Sequence, residues 1–260
     1  MSDKILDSYL QPNITIGETI EIIKSKIESE TPFALTRFGD GEIYILNKTC
    51  SEDFLKKNCS LWGYNYPSES NNFLDDCSSI IKHAIVKSDI IGIMDKNTKV
   101  LPKGFYNESI WSINKSFALN LGVDLSNQLI CDHMISRHEE FGSVSSMKEI
   151  LQGKSVNIIT PHKDIFESKN MSKFLEADVK ITEHPHSINF NNRSEFLKSL
   201  ENIQEKVVLL GIGLQKDYGV YLKETHGKIA IDMGATLDAW AGMITRPWFS
   251  RGNLQSHLLI

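Results

Sequence analysis

The stretch KVVLLGIGLQKDYG, residues 206–219, reads as a buried strand, a glycine turn and the start of a helix. Its apolar run, Val207 to Leu210, lacks the polar alternation of a strand with one wet face, so it is read as buried on both faces. The same unit recurs around it. SVNIIT (155–160) runs into PHKD, DVKITEHP (178–185) follows, and KIAIDMG (228–234) closes the series. Segments near 145–151, 167–176, 194–205 and 215–225 carry helical spacing between these runs. Short apolar strands separated by helices of about 10–15 residues predict a largely parallel sheet with helices on both faces.

The N-terminal half continues the pattern. Thr15 and Glu18 form a capping-box pair, followed by Ile16, Ile20, Ile23 and Ile27 on one helical stripe. Pro32 stops that helix, FALTRF (33–38) is the first buried strand, and EIYIL (42–46) starts a new helix after a glycine turn. Further helices are expected over 71–88 and 108–121, and strands in DIIGIMD (89–95) and NQLICD (127–132). LWGYNYPSES (61–70), rich in aromatics and turn formers, reads as a surface loop or lid. The expectation is one α/β, Rossmann-like domain over residues 1–260, with about 50–125 as a more helical insertion or lid.

Composition narrows the function classes. A net charge of −5 with no basic block leaves no electrostatic footprint for nucleic acid. No apolar run approaches the roughly 20 residues of a spanning helix, and MSDKILDSYLQPN lacks the apolar core of a signal peptide. Cys50, Cys59, Cys77 and Cys131 show no CxxC spacing and read as reduced thiols, which points to the cytoplasm. Peripheral association with a membrane-bound partner stays open.

Ligands of open α/β sheets bind beyond the carboxyl ends of the strands. Those ends deliver Arg37, Gly39, Asp40, Gly41 and Glu42; then Asp95; Asp132, His133 and Arg137; His162; His184 and His186; Gly211 and Gly213; and Asp232 and Gly234. In GDGE, Asp40 and Glu42 flank a glycine and can reach one hard cation together. Alternatively, Asp40 caps the helix that follows and Glu42 complements its dipole. The GxG of Gly211 and Gly213 suits phosphate or ribose contact through loop amides, with Lys216 as an added charge. A plain strand-to-helix turn explains it equally, and Lys216 stands where a full dinucleotide fingerprint needs its third glycine. Asp232 and Asp238 suit a sugar hydroxyl, a base or a structural acid. His184 and His186 flank Pro185 without a third ligand at a metal spacing, which disfavours zinc. Trp62, Tyr64 and Tyr66 suit sugar stacking or packing over an apolar edge.

Taken together, RFGDGE (37–42), VVLLGIG (207–213) and GKIAIDMGATLDAWAG (227–242) resemble the GT-D type glycosyltransferases, over roughly residues 15–248. The resemblance implies a Rossmann-like fold, a nucleotide-sugar donor (a UDP-sugar foremost) and a divalent cation, Mn²⁺ or Mg²⁺. By resemblance Asp40 and Glu42 hold the metal and the donor diphosphate, while Arg37, Gly39 and Gly41 shape that turn. It also implies donor contacts from Arg137, Asn189, Gly211, Gly213, Asp232 and Gly234, and a family tail motif at Arg246. The implied acceptor is a glycan, glycolipid or glycoprotein. Asp40 and Asp238 are the candidate bases. Ala235 and ITPHKD (159–164) depart from the family pattern, which bears on donor selectivity. Two other readings compete: a Rossmann oxidoreductase or methyltransferase, suggested by GxG and Asp232, and a non-catalytic nucleotide-binding component of a glycan assembly complex.

Overall fold

The structure is a computed structural model that describes residues 12–46, 73–93, 121–122, 125–185 and 193–243. In chain order these residues form α1 (Ile16–Glu28), β1 (Phe33–Phe38), α2 (Asp40–Leu46), α3 (Phe73–Lys87), β2 (Ile90–Ile93) and β3 (Leu129–Asp132). A 3₁₀ turn, His133–Arg137, leads to α4 (Glu139–Gly142), α5 (Val144–Leu151), β4 (Ser155–Thr160), α6 (Lys163–Ser168), α7 (Met171–Leu175) and β5 (Asp178–Glu183). Then come α8 (Arg193–Ser199), a 3₁₀ turn Leu200–Asn202, β6 (Val207–Leu210), α9 (Tyr218–His226), β7 (Ile229–Asp232) and α10 (Ala235–Trp240).

Among the described residues, seven strands form one sheet in the order β3-β2-β1-β7-β6-β4-β5. Every neighbouring pair is parallel. β1, β2, β6 and β7 are buried along their whole lengths, β2 and β6 as unbroken apolar runs and β1 and β7 with Thr36, Arg37 and Asp232 buried among apolar residues. Alternate residues enter different cores. Leu35, Leu209 and Ile231 pack with Ile20, Ile23 and Ile27 of α1 and with Trp240 of α10 on one face. On the other face, Phe38 and Ile91 pack with Ile81 and Ile85 of α3, while Val208 and Ala230 pack with Leu222 of α9. α1 begins as expected: the Thr15 hydroxyl accepts from the Glu18 amide and the Glu18 carboxylate accepts from the Thr15 amide.

Three expectations need correction. The helix expected over 167–176 is two short helices, α6 and α7, because Asn170 turns left-handed (φ 53°) between them and caps α7 through its side chain. The helix expected over 194–205 ends at Ser199 and tightens into the 3₁₀ turn. Of the stretch 50–125, α3 and β2 belong to the main sheet and its cover rather than to an insertion. The aromatic loop 61–70 and most of the helix expected over 108–121 lie outside the described residues. Cys77 and Cys131 are buried and not joined in a disulfide, and no described helix is long and apolar enough to cross a membrane.

Gly142 is the tightest backbone approach. A Cβ there would lie 1.6 Å from the Ser136 carbonyl oxygen, and its own carbonyl accepts the Trp240 indole N–H at 2.9 Å. By contrast, a Cβ at Gly17 in α1 meets nothing within 4 Å. Gly142→Ala should therefore destabilise by about 1–3 kcal/mol or more, and Gly17→Ala should stabilise by up to about 1 kcal/mol. Urea unfolding midpoints of the two variants check both signs.

Candidate active site

The carboxyl edge of β1 meets that of β7 at a buried ion pair. Arg37, 3% exposed, donates its backbone N–H to Asp232 Oδ2 (3.1 Å), its Nε–H to the Asp232 carbonyl (2.7 Å) and an Nη1–H to the His133 carbonyl (2.9 Å). The ends of β1, β7 and β3 are thereby tied by one side chain. Two glycines make the room. A Cβ at residue 92, the register partner of Arg37 on β2, would lie 2.9 Å from Arg37 Cγ. A Cβ at Gly234 would lie 2.3 Å from Arg37 Nη2, and Gly234 itself has φ 53°.

Lys216 joins from the loop after β6. Its Nζ donates to Asp232 Oδ2 at 2.8 Å and stands 3.4 Å from Glu42 Oε1. The other Glu42 oxygen accepts the Gly39 amide at 2.7 Å, which fixes the first turn of α2. Burial works against the charge on Lys216, but Asp232 and Glu42 outweigh it and hold its pKa above the ordinary lysine value. Burial alone would raise Asp232; Lys216 and Arg37 reverse that and hold it below the ordinary aspartate value. The result is two cations and two carboxylates at the centre of the rim. His133 borders them, its Nε2 3.1 Å from where a Gly39 Cβ would stand, with its Nδ1 enclosed and without a hydrogen-bond partner. Its burial, then Arg37, Arg137 and Lys216, push its pKa well below the ordinary 6.5, so the ring is neutral.

Two further groups flank this centre. Gln215 and Asp217, the neighbours of Lys216, turn toward α8. Arg193 donates Nε–H to Gln215 Oε1 at 3.1 Å, pairs with Asp217, and lies 5.1 Å over the Tyr218 ring. At the ends of β4 and β7, His162 Nε2 faces Asp238 Oδ1 at 3.9 Å.

The residues singled out in the sequence fall into place as follows. Arg37, Gly39, Glu42, Asp232 and Gly234 converge on the central cluster. Asp40 and Gly41 lie in the first turn of α2 beside it. Asp238 sits one helical turn past Gly234. Arg137 is buried at the end of the 3₁₀ turn, with Nη1 3.6 Å from Met134 Sδ. Both glycines of GxG have structural duties: a Cβ at Gly211 would press on Leu237 Cδ1 at 3.0 Å, and Gly213 has φ 59°. Asp95, His186, Asn189, Arg246 and the Trp62, Tyr64 and Tyr66 loop lie outside the described residues. The pairing of Lys216 with Glu42 and Asp232, the neutral state of His133, and any role for Arg193 were not foreseen. Lys216 carried a signal, since it stands in the glycine turn between β6 and α9; Arg193 carried none.

No group of three His, Cys, Asp or Glu side chains able to hold a metal occurs among the described residues. Glu42 has one oxygen 3.4 Å from the Lys216 ammonium and the other on the Gly39 amide, so it could join a divalent ion only where Lys216 turns from it to a diphosphate whose oxygens complete the ion's shell.

A parallel sheet covered on both faces, with a charge-paired rim at its carboxyl edge, defines a Rossmann-like α/β fold. A model of the GT-D fold-like domain matches residues 14–240, and the chain belongs to that family. Among solved structures it is similar to the domain of unknown function 1792 described as having a distinct glycosyltransferase fold, with 19% identity, a TM-score of 0.64, and coverage of 91% of this chain and 83% of that one. It is also similar to a glycosyltransferase of that domain from Streptococcus sanguinis, with 14% identity, a TM-score of 0.55, and coverage of 93% and 96%. The fold is thus a GT-D glycosyltransferase fold. No curated protein matches the sequence.

Because His133 has a folded pKa well below 6.5, the unfolded chain takes up its proton first as pH falls. Its contribution to stability is complete above about pH 6.5 and is lost progressively below that. His133→Gln should flatten the decline in urea midpoint between about pH 6.5 and pH 5 relative to the wild type. Parallel profiles for the two proteins would contradict a depressed histidine here. Gly234→Ala should also lower stability by about 1–3 kcal/mol, since the methyl displaces the Arg37 guanidinium.

Proposed function

We propose that the chain is a glycosyltransferase that moves a sugar from a nucleoside-diphosphate sugar, a UDP-sugar foremost, to a hydroxyl of a glycan, glycolipid or glycoprotein. The observation that carries this reading is the Lys216 ammonium set between Glu42 and Asp232 at the start of α2, next to Arg37. Glycosyl transfer places growing negative charge on a departing diphosphate. Preorganised cations in a site of low exposure stabilise that charge far more than they would in water. Lys216 has three donors, and diphosphate oxygens would compete with the two carboxylates for them. The family membership supports the same reaction class.

Asp40 and Glu42 would hold a divalent ion, Mn²⁺ or Mg²⁺, which supplies Lewis-acid neutralisation of the leaving diphosphate when bound. Every other part of the work falls to the chain. Arg37 spans β1 and β7 so that Asp232 keeps a fixed place. Asp232 and Glu42 hold Lys216 at the rim. Gly39 directs its amide at Glu42 and fixes that carboxylate. Asp238, partly exposed, faces the acceptor side. The proposal includes a cytoplasmic enzyme that attaches peripherally to glycan-assembly machinery at the membrane.

Saturating UDP with Mn²⁺ should raise the melting temperature by several degrees, as about 2.7 kcal/mol is gained at one hundred times Kd. EDTA should remove most of that gain. Asp40→Asn combined with Glu42→Gln should abolish the Mn²⁺-dependent part of the shift and any release of diphosphate from a panel of nucleotide sugars. Stabilisation by NAD(P) or S-adenosylmethionine, and by no nucleoside diphosphate, would sink this reading.

A further inference from the structure

We propose that His162 is the base that takes the proton of the acceptor hydroxyl, with Asp238 as the carboxylate that holds the resulting imidazolium. The inference rests on the transferase reading above and assigns its proton. His162 follows β4, Asp238 is carried by α10 after β7, and β6 lies between those two strands. The two side chains meet across the end of β6, where Gly211 has no side chain and α10 packs close. Nε2 and Oδ1 stand 3.9 Å apart, and the side chains are 26% and 16% exposed, open enough for a substrate to reach. His162 occupies the N-cap position of α6 yet makes no capping bond with its side chain.

Position relative to the central cluster fits the role. Asp238 lies four residues, one helical turn, past Gly234, which abuts the Arg37 guanidinium, so the dyad and the central cluster share the carboxyl rim of the sheet. The other described histidines of the rim are unsuited. His133 is enclosed among Arg37, Arg137 and Lys216, which oppose a proton on its ring, and His184 is 1% exposed. A carboxylate is intrinsically a weaker base than an imidazole near neutral pH.

The step balances. The acceptor O–H gives its proton to the imidazole, and its oxygen forms the bond to the anomeric carbon. The bond from that carbon to the diphosphate oxygen breaks, and its electron pair leaves with the nucleoside diphosphate. Attack by the acceptor oxygen on the face opposite the departing diphosphate inverts the anomeric centre.

The test uses the full chain, a panel of nucleotide sugars and water or simple glycosides as acceptors, with nucleoside diphosphate release as the readout. His162→Gln should lower kcat by about 100-fold or more while leaving the melting shift with UDP unchanged. Asp238→Asn should lower kcat by about 10-fold, again without loss of the UDP shift. His162→Ala should regain activity in proportion to added imidazole, a response that a merely structural histidine would not give. His162→Gln activity within about threefold of the wild type overturns the inference, as does a loss that imidazole fails to restore. A wild type that neither responds to UDP nor releases diphosphate from any donor overturns instead the transferase reading beneath it.

Discussion

The rim depends on one guanidinium. Arg37 contacts a carboxylate 195 positions away in sequence and a carbonyl 96 positions away, so one side chain ties the ends of three strands. A planar fork of donors is what this position demands. Nε takes the Asp232 carbonyl, Nη1 takes the His133 carbonyl, and Nη2 lies 3.7 Å from Asp232 Oδ1. A lysine would carry the charge but not the three directions. The surrounding glycines follow from this choice: Gly92 clears the aliphatic stem and Gly234 clears the head. The arginine of RFG and the glycine of DMG are thus two halves of one packing unit, which accounts for Gly234 without any ligand.

A buried charge needs partners, and removing one member of such a pair costs about 3–5 kcal/mol because the other is left alone. Here Arg37 and Lys216 face Asp232 and Glu42, and the balance is held by alternation: Asp232 contacts both cations, and Lys216 contacts both carboxylates. Such a chain keeps each group charged in a place where water would otherwise be required. It also explains why His133 stays neutral. Burial opposes a proton on its ring first, and that proton would add a further positive charge beside Arg37, Arg137 and Lys216.

Much of the fold was legible because its strands are buried on both faces. An unbroken run such as Val207–Leu210 has few alternatives to a central parallel strand, and the capping box at Thr15 marks a helix start from local chemistry alone. The helix between β4 and β5 was misread because Asn170 adopts a left-handed turn that neither period nor propensity demands. The site was legible by its edges and not by its contacts. Strand ends could be listed from sequence, since a parallel sheet places them on one rim. That Lys216 would reach Glu42, 174 positions earlier, depends on β6 lying one strand away from β7 and two from β1. No local pattern encodes that order.

The loop after β6 links the parts of the rim. Gly211 lets α10 settle onto the strand end, which brings Asp238 toward His162. Gly213, at φ 59°, turns the chain so that three consecutive side chains diverge. Lys216 goes to the central carboxylates, while Gln215 and Asp217 go to Arg193. Since α9 starts at once with Tyr218, itself fully buried, the loop has little freedom to tilt without breaking one of these contacts. A displacement of Lys216 toward a ligand phosphate would therefore come from its own flexible stem rather than from the backbone. In the proposed transferase the rim would then exchange a carboxylate partner for a phosphate partner while the scaffold that positions Asp232 and Asp238 stays fixed.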